Sequence, residues 1–186
     1  MKTKLTLSVC ALAIVLAGAA ACRRRQPAAN NGNAASNANA SQPAQSKEPH
    51  ALPDNGFKAE ITLPGPPAKL RAGQKERVQV RVKNASEVFW WARGGEQNDR
   101  SDNKFYLAAG NRWLKADGAT LVTDMDGRHG LLKDLKPGEE DEVPLLITAP
   151  KEPGEYILEV DLVQEQVAWF RDKGSQTARA KVTVVR

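Results

Sequence analysis

Arg77-Val78-Gln79-Val80-Arg81-Val82-Lys83 decides the fold. Successive side chains of a strand point to opposite faces, so the three valines share one side and the four polar residues the other. That is the pattern of a strand buried on one face and wet on the other. Phe57, Ala59, Ile61 and Leu63 repeat it upstream. Downstream it returns in Val143, Leu145 and Ile147, in Tyr156, Leu158, Val160 and Leu162, and in Ala178, Ala180, Val182 and Val184.

Turn chemistry separates these runs: Pro64-Gly65-Pro66-Pro67, Ala72-Gly73-Gln74, Asp117-Gly118, Pro137-Gly138-Glu139, Pro150 and Pro153-Gly154-Glu155. No stretch of ten or more residues in this region carries the i, i+3, i+4, i+7 stripe of an amphipathic helix. The spacing predicts an all-β, antiparallel sandwich of about seven to nine strands over residues 54–186.

The residues before it are of another kind. Lys2 and Lys4, the apolar run from Leu5 to Leu16, and Ala17-Gly18-Ala19-Ala20-Ala21 compose a signal peptide over residues 1–21. Cys22 follows at once, in a setting that resembles a bacterial lipobox and implies a lipid on its thiol after cleavage. Arg23, Arg24 and Arg25 come next; beside a lipidated Cys22 they would lie against anionic headgroups. From Gln26 to His50 there is no aromatic residue and no aliphatic one larger than alanine. Such a segment cannot bury enough apolar surface to offset the entropy of ordering. Residues 22–53 are therefore expected to be a lipid-anchored disordered linker, with a coil of this composition spanning roughly 25–30 Å.

Charge narrows the partners. The chain of 186 residues has a net charge of +5, and Lys2, Lys4, Arg23, Arg24 and Arg25 account for all of it. From Gln26 onward 22 basic residues face 22 acidic ones, interspersed, without the basic stripe that collects phosphates. Nucleic acid is not an expected partner. Both cysteines, Cys10 and Cys22, precede the sandwich, which has neither a disulfide nor a thiolate ligand to offer.

Several blocks carry a family likeness: Asn84-Ala85-Ser86, Trp90, Arg112-Trp113-Leu114, Leu135-Lys136-Pro137-Gly138-Glu139, Ala149-Pro150-Lys151-Glu152-Pro153-Gly154-Glu155-Tyr156 and Asp161-Leu162-Val163-Gln164-Glu165-Gln166-Val167-Ala168-Trp169-Phe170. Together they resemble an immunoglobulin-like accessory module of bacterial envelope and polysaccharide-related proteins, distantly similar to the four-tryptophan domain of autophagy receptors. The resemblance implies an immunoglobulin-like β-sandwich and a non-catalytic accessory or binding role. Trp91 departs from the pattern, which often has a small residue or proline there.

In Val88-Phe89-Trp90-Trp91 alternate side chains would oppose one another, and Trp90 is the better core candidate, by analogy with the buried tryptophan of immunoglobulin folds. Phe89 and Trp91 would then face outward, with Tyr106 and Trp113 alongside on neighbouring strands. Two readings stay open: a bare aromatic row that binds a sugar ring or a partner's apolar patch, or a second small core under the 94–103 loop. Trp169 and Phe170 are expected to pack beneath a loop.

Catalysis finds little support. His129 is the only histidine after His50, with no nucleophile elbow or phosphate loop for company. Asp124 and Asp126 beside it lack calcium-loop spacing and read as a solvated turn. The expectation is a non-enzymatic lipoprotein of the bacterial cell envelope, on the outer membrane or periplasmic face, held there by a lipid on Cys22. Neither a cofactor nor a metal site is expected. Its sandwich would bind a glycan or an envelope protein, the alternatives being a structural subunit of an envelope assembly or an enzyme of unfamiliar design.

Overall fold

The computed structural model describes residues 48–95 and 101–186. The expected signal peptide, Cys22 and the linker as far as residue 47 lie outside the described residues. What is described is all-β. Ten strands follow in order: β1 (Ala59–Thr62), β2 (Lys69–Arg71), β3 (Lys75–Asn84), β4 (Leu107–Lys115), β5 (Leu121–Thr123), β6 (Arg128–Gly130), β7 (Glu140–Thr148), β8 (Gly154–Gln164), β9 (Ala168–Trp169) and β10 (Ala178–Val185). The five runs of alternating residues coincide with β1, β3, β7, β8 and β10.

Two sheets form an immunoglobulin-like sandwich. One has three strands in the order β1-β3-β7, and the other runs β2-β10-β8-β4-β5, with β6 also on β4 and β9 on β8. Every pair is antiparallel except β2 with β10, where Lys69, Leu70 and Arg71 run parallel to Thr183, Val184 and Val185. The ladders set the interior. Val78 pairs with Leu145 and Val80 with Val143, and all four are buried. From the opposite sheet Tyr156, Leu158, Val160 and Leu162 meet them.

Trp90 is wholly buried, as expected for the core tryptophan. Its indole Nε1–H donates to the Gly56 carbonyl at 3.0 Å, and its ring stands edge-to-face on Phe170 at 5.2 Å. Phe170 in turn meets Phe57 at 5.1 Å. Such aromatic pairs contribute roughly 0.5–1.5 kcal/mol each beyond the area they bury.

A buried polar knot shapes the approach to Trp90. Asn84 Nδ2 donates to the carbonyls of Val88 (2.8 Å) and Leu135 (3.0 Å), while its Oδ1 accepts from the Ser86 N–H (3.0 Å) and Ser86 hydroxyl (2.7 Å). All its hydrogen-bonding capacity is used, which is what a polar side chain in an apolar interior requires.

The folded part begins earlier than residue 54. Leu52 is buried, and its N–H donates to Gln164 Oε1 at 2.9 Å. Gln164 Nε2 returns a bond to the His50 carbonyl at 2.8 Å. Composition alone assigns residues 50–53 to the linker, but Gln164, 114 positions away from His50, fastens them to β8.

Candidate functional site

The four aromatic residues proposed for binding do not form a bare row. Trp113 lies on the inner face of β4, fully buried and edge-to-face with Tyr156 at 6.4 Å. Trp91 is only 6% exposed, covered by His50 (4.4 Å) and flanked by Phe89 (5.2 Å). The outward reading of Trp91 fails because it assumes a strand continuing through residues 88–91. The chain makes an isolated bridge there, Trp90 to Leu135, and no strand spans residues 88–91, so strict alternation does not decide which side chain is covered. Phe89 and Tyr106 keep part of their surface, and the Arg93 guanidinium lies 5.8 Å from the Tyr106 ring while pairing with Asp102.

A more organised surface lies on the outer face of the larger sheet. Strand register aligns Arg179 of β10 with Glu159 of β8, and Glu159 with Arg112 of β4. Glu159 is 1% exposed beneath that row. It accepts from Arg112 Nε, from Arg179 Nε at 2.7 Å and from the Thr177 hydroxyl at 2.9 Å. Burial works against its charge, yet these bonds prevail and hold its pKa below the ordinary value.

One row along, Asp161 pairs in register with Gly110, and Gly110 with Arg128 of β6. Asp161 is 2% exposed and meets Arg171 Nη1 at 3.2 Å. Here burial prevails: despite bonds from the Arg171 and Leu162 N–H groups, its pKa is raised to about 6.

Trp169 lies over this row between two guanidiniums, with Arg171 at 4.5 Å and Arg128 at 4.8 Å from its ring. Arg128 is held from behind by Glu165 at 2.8 Å. Gly110 makes room for the indole. A Cβ there would stand 2.8 Å from Trp169 Cη2, closer than side-chain carbons approach. Trp169 is thus half-buried on the open sheet face and fixed by two cations, while Phe170 turns inward to the core.

The Asp124–His129 region is structural. Asp126 Oδ2 accepts from the Thr148 N–H at 2.6 Å and from Asn111 Nδ2 at 3.1 Å, and buried His129 has its Nδ1 2.9 Å from the Gly130 carbonyl. Among the described residues, no group of three or more His, Cys, Asp or Glu side chains is placed to hold a metal ion.

The arginine face escapes sequence reasoning because its members come from five separated segments that only strand register brings together. The one local signal is parity: Glu159 and Asp161 occupy the outward positions of β8, an odd place for carboxylates that end up buried unless cations cover them.

No family model matches the chain, and no curated protein matches it. Solved structures give distant likenesses. The CARDB domain of the PF1109 protein from Pyrococcus furiosus aligns at TM-score 0.41 with 16% identity, over 69% of this chain and 93% of that one. A β-glucosidase from Listeria innocua aligns at 0.40 with 17% identity, over 69% of this chain and 16% of its own. A conjugative transposon lipoprotein from Bacteroides eggerthii aligns at 0.26 with 14% identity, over 68% and 97% respectively. Similarity this distant assigns no activity, so any functional reading rests on the chain's own residues.

Proposed function

We propose that this chain is a lipid-anchored protein of the bacterial envelope whose sandwich is a non-catalytic binding module, and that it binds a glycan or an envelope protein through the outer face around Trp169. The observation that carries the reading is Trp169 held by Arg128 and Arg171 on the outer face of the larger sheet, beside the Arg112–Glu159–Arg179 row. Tryptophan and arginine are the residues most enriched at binding hot spots, and an aromatic ring already immobilised loses little entropy on contact. Anchoring rests on the sequence, where a small-residue run ends at Cys22.

Two measurements test it. Full-length protein should bind isolated envelope polysaccharide, or co-purify with a stoichiometric protein from solubilised membranes, and Trp169→Ala should abolish this while leaving the thermal melt within a few degrees. A wild-type protein that does neither overturns the binding role, and a partner retained by Trp169→Ala overturns the site and favours a structural subunit joined elsewhere. Cys22→Ser should move the protein out of the membrane fraction; if it stays there, lipid is not the anchor.

A further inference from the structure

The outer face carries one feature beyond the Trp169 stack. Beside it lies a depression of about 360 Å3 lined by Arg112, Arg171, Arg179, Glu159 and residues 175–177, which are Ser, Gln and Thr. Its volume is at the small end of ligand pockets, room for a compact group rather than a chain.

Three guanidiniums meet three carboxylates here, the buried Glu159 and Asp161 and the exposed Asp172, which lies 3.7 Å from Arg171 Nε, so what the cluster offers a ligand is unspent donors rather than excess charge. Arg179 spends its Nε and Nη2 on Glu159 and its Nη1 on the Gly118 carbonyl. Arg112 differs, because it meets Glu159 through Nε alone, and its two terminal nitrogens have no partner among the described residues. Arg171 uses Nη1 on Asp161 and Nε on Asp172, and leaves Nη2 without a partner among the described residues. Arg112 is 26% exposed and Arg171 21%, so these idle donors are reached from solvent yet partly desolvated.

A guanidinium edge with two parallel N–H bonds to give is matched to a planar oxyanion, and the fit is bidentate. Arg112 offers one such free edge, which suits one planar carboxylate. Beyond the arginines, exposed Gln176 has both a donor and an acceptor free for neighbouring hydroxyls. A carboxylate flanked by hydroxyls uses every one of these groups.

Resting on the binding role proposed above, we infer that this depression takes the carboxylate of an acidic sugar, with Arg112 as its bidentate partner, Arg171 as the second cation and Gln176 on an adjacent hydroxyl. The partner of the sandwich is then a uronate-bearing glycan.

Full-length protein in detergent, titrated with an oligogalacturonate and followed by calorimetry and by the side-chain NMR signals of Arg112 and Gln176, tests this. Wild type should bind, weakening at least tenfold between 50 and 500 mM salt, and a neutral oligogalactose of equal length should bind at least tenfold less well. Arg112→Lys keeps the charge and removes the fork, and should lose about tenfold. Gln176→Ala touches no structural partner and should lose two- to fivefold with an unchanged melt, which keeps the test sound should Arg112 variants unfold. No binding of the oligogalacturonate overturns the inference. So does binding that both variants leave unchanged, or poly-glutamate binding equally well. Retention of a neutral envelope glycan or a protein partner through Trp169 in the same preparation would leave the broader proposal standing while this one falls.

Discussion

Replacing Asn84 by alanine measures how much of the fold hangs on one buried amide. Four hydrogen bonds disappear, at roughly 1 kcal/mol net apiece. Two of the groups released are not orphaned. The Val88 carbonyl still accepts from the Ser86 hydroxyl at 3.2 Å, and the Leu135 carbonyl from the Trp90 N–H at 3.0 Å. The Ser86 N–H is left with no acceptor in a buried site, an added cost of about 1–3 kcal/mol. With the Ser86 hydroxyl free to swing fully onto Val88 and recover about one of those bonds, the net loss should be about 4–6 kcal/mol, which for a domain this size lowers Tm by roughly 15–25 °C. Urea unfolding followed by tryptophan fluorescence reads it directly, the midpoint falling while the slope stays constant. Asn84→Asp should be worse than alanine at pH 7, since it buries a charge where a donor is needed, and should recover part of the difference at pH 4. A loss under 1 kcal/mol for Asn84→Ala, or an aspartate variant milder than alanine at pH 7, would refute the account of a satisfied polar knot holding the 84–90 turn.

Three further outcomes follow from the geometry. Gly110→Ala should push Trp169 off the sheet, costing about 1–3 kcal/mol by overpacking and shifting the Trp169 indole NMR signal toward that of a solvated ring; an unmoved signal would contradict the stack. Gly127→Ala puts a Cβ 2.0 Å from the Leu146 carbonyl oxygen, so it should destabilise by 3 kcal/mol or more, and a wild-type melt would show that the close approach is absent. Asp161, whose ordinary pKa is 3.8, is raised to about 6 by burial, so the folded protein holds a proton between pH 4 and 6 that the unfolded chain has released, and stability from this group falls as pH rises through that window. The advantage of wild type over Asp161→Asn should accordingly be largest near pH 4 and shrink by up to about 3 kcal/mol above pH 6. Chemical denaturation of both proteins at each pH checks it, and an advantage that grows toward neutral pH would show the Arg171 ion pair outweighing burial.

Where a strand is buried on one side only, its neighbours in sequence announce it, and so β3, β7 and the flanks of the core are legible from alternation. β4 defeats that rule. Its outer face is roofed by Trp169 and Arg128 across the Gly110 row, so the pattern from Leu107 to Leu114 is buried on both sides, and nothing local tells which way Trp113 points. Trp91 misleads for a related reason: its cover is His50, in a stretch whose composition promises no structure, and only contact with Gln164 supplies it. The carboxylates and arginines of the outer face depend on register between strands from distant parts of the chain, information that a single strand does not hold.

The clasp at Gln164 also decides how the domain would answer force. Any pull on the chain ahead of Glu48 meets first the two bonds that join His50 and Leu52 to the end of β8, a strand with neighbours on both sides, rather than β1 at the rim of the smaller sheet. Tension is thereby handed to the best-supported strand of the molecule, and the weakly paired β1 is spared until those bonds give way. The glutamine works as a strain relief, like the grip where a cable enters its housing.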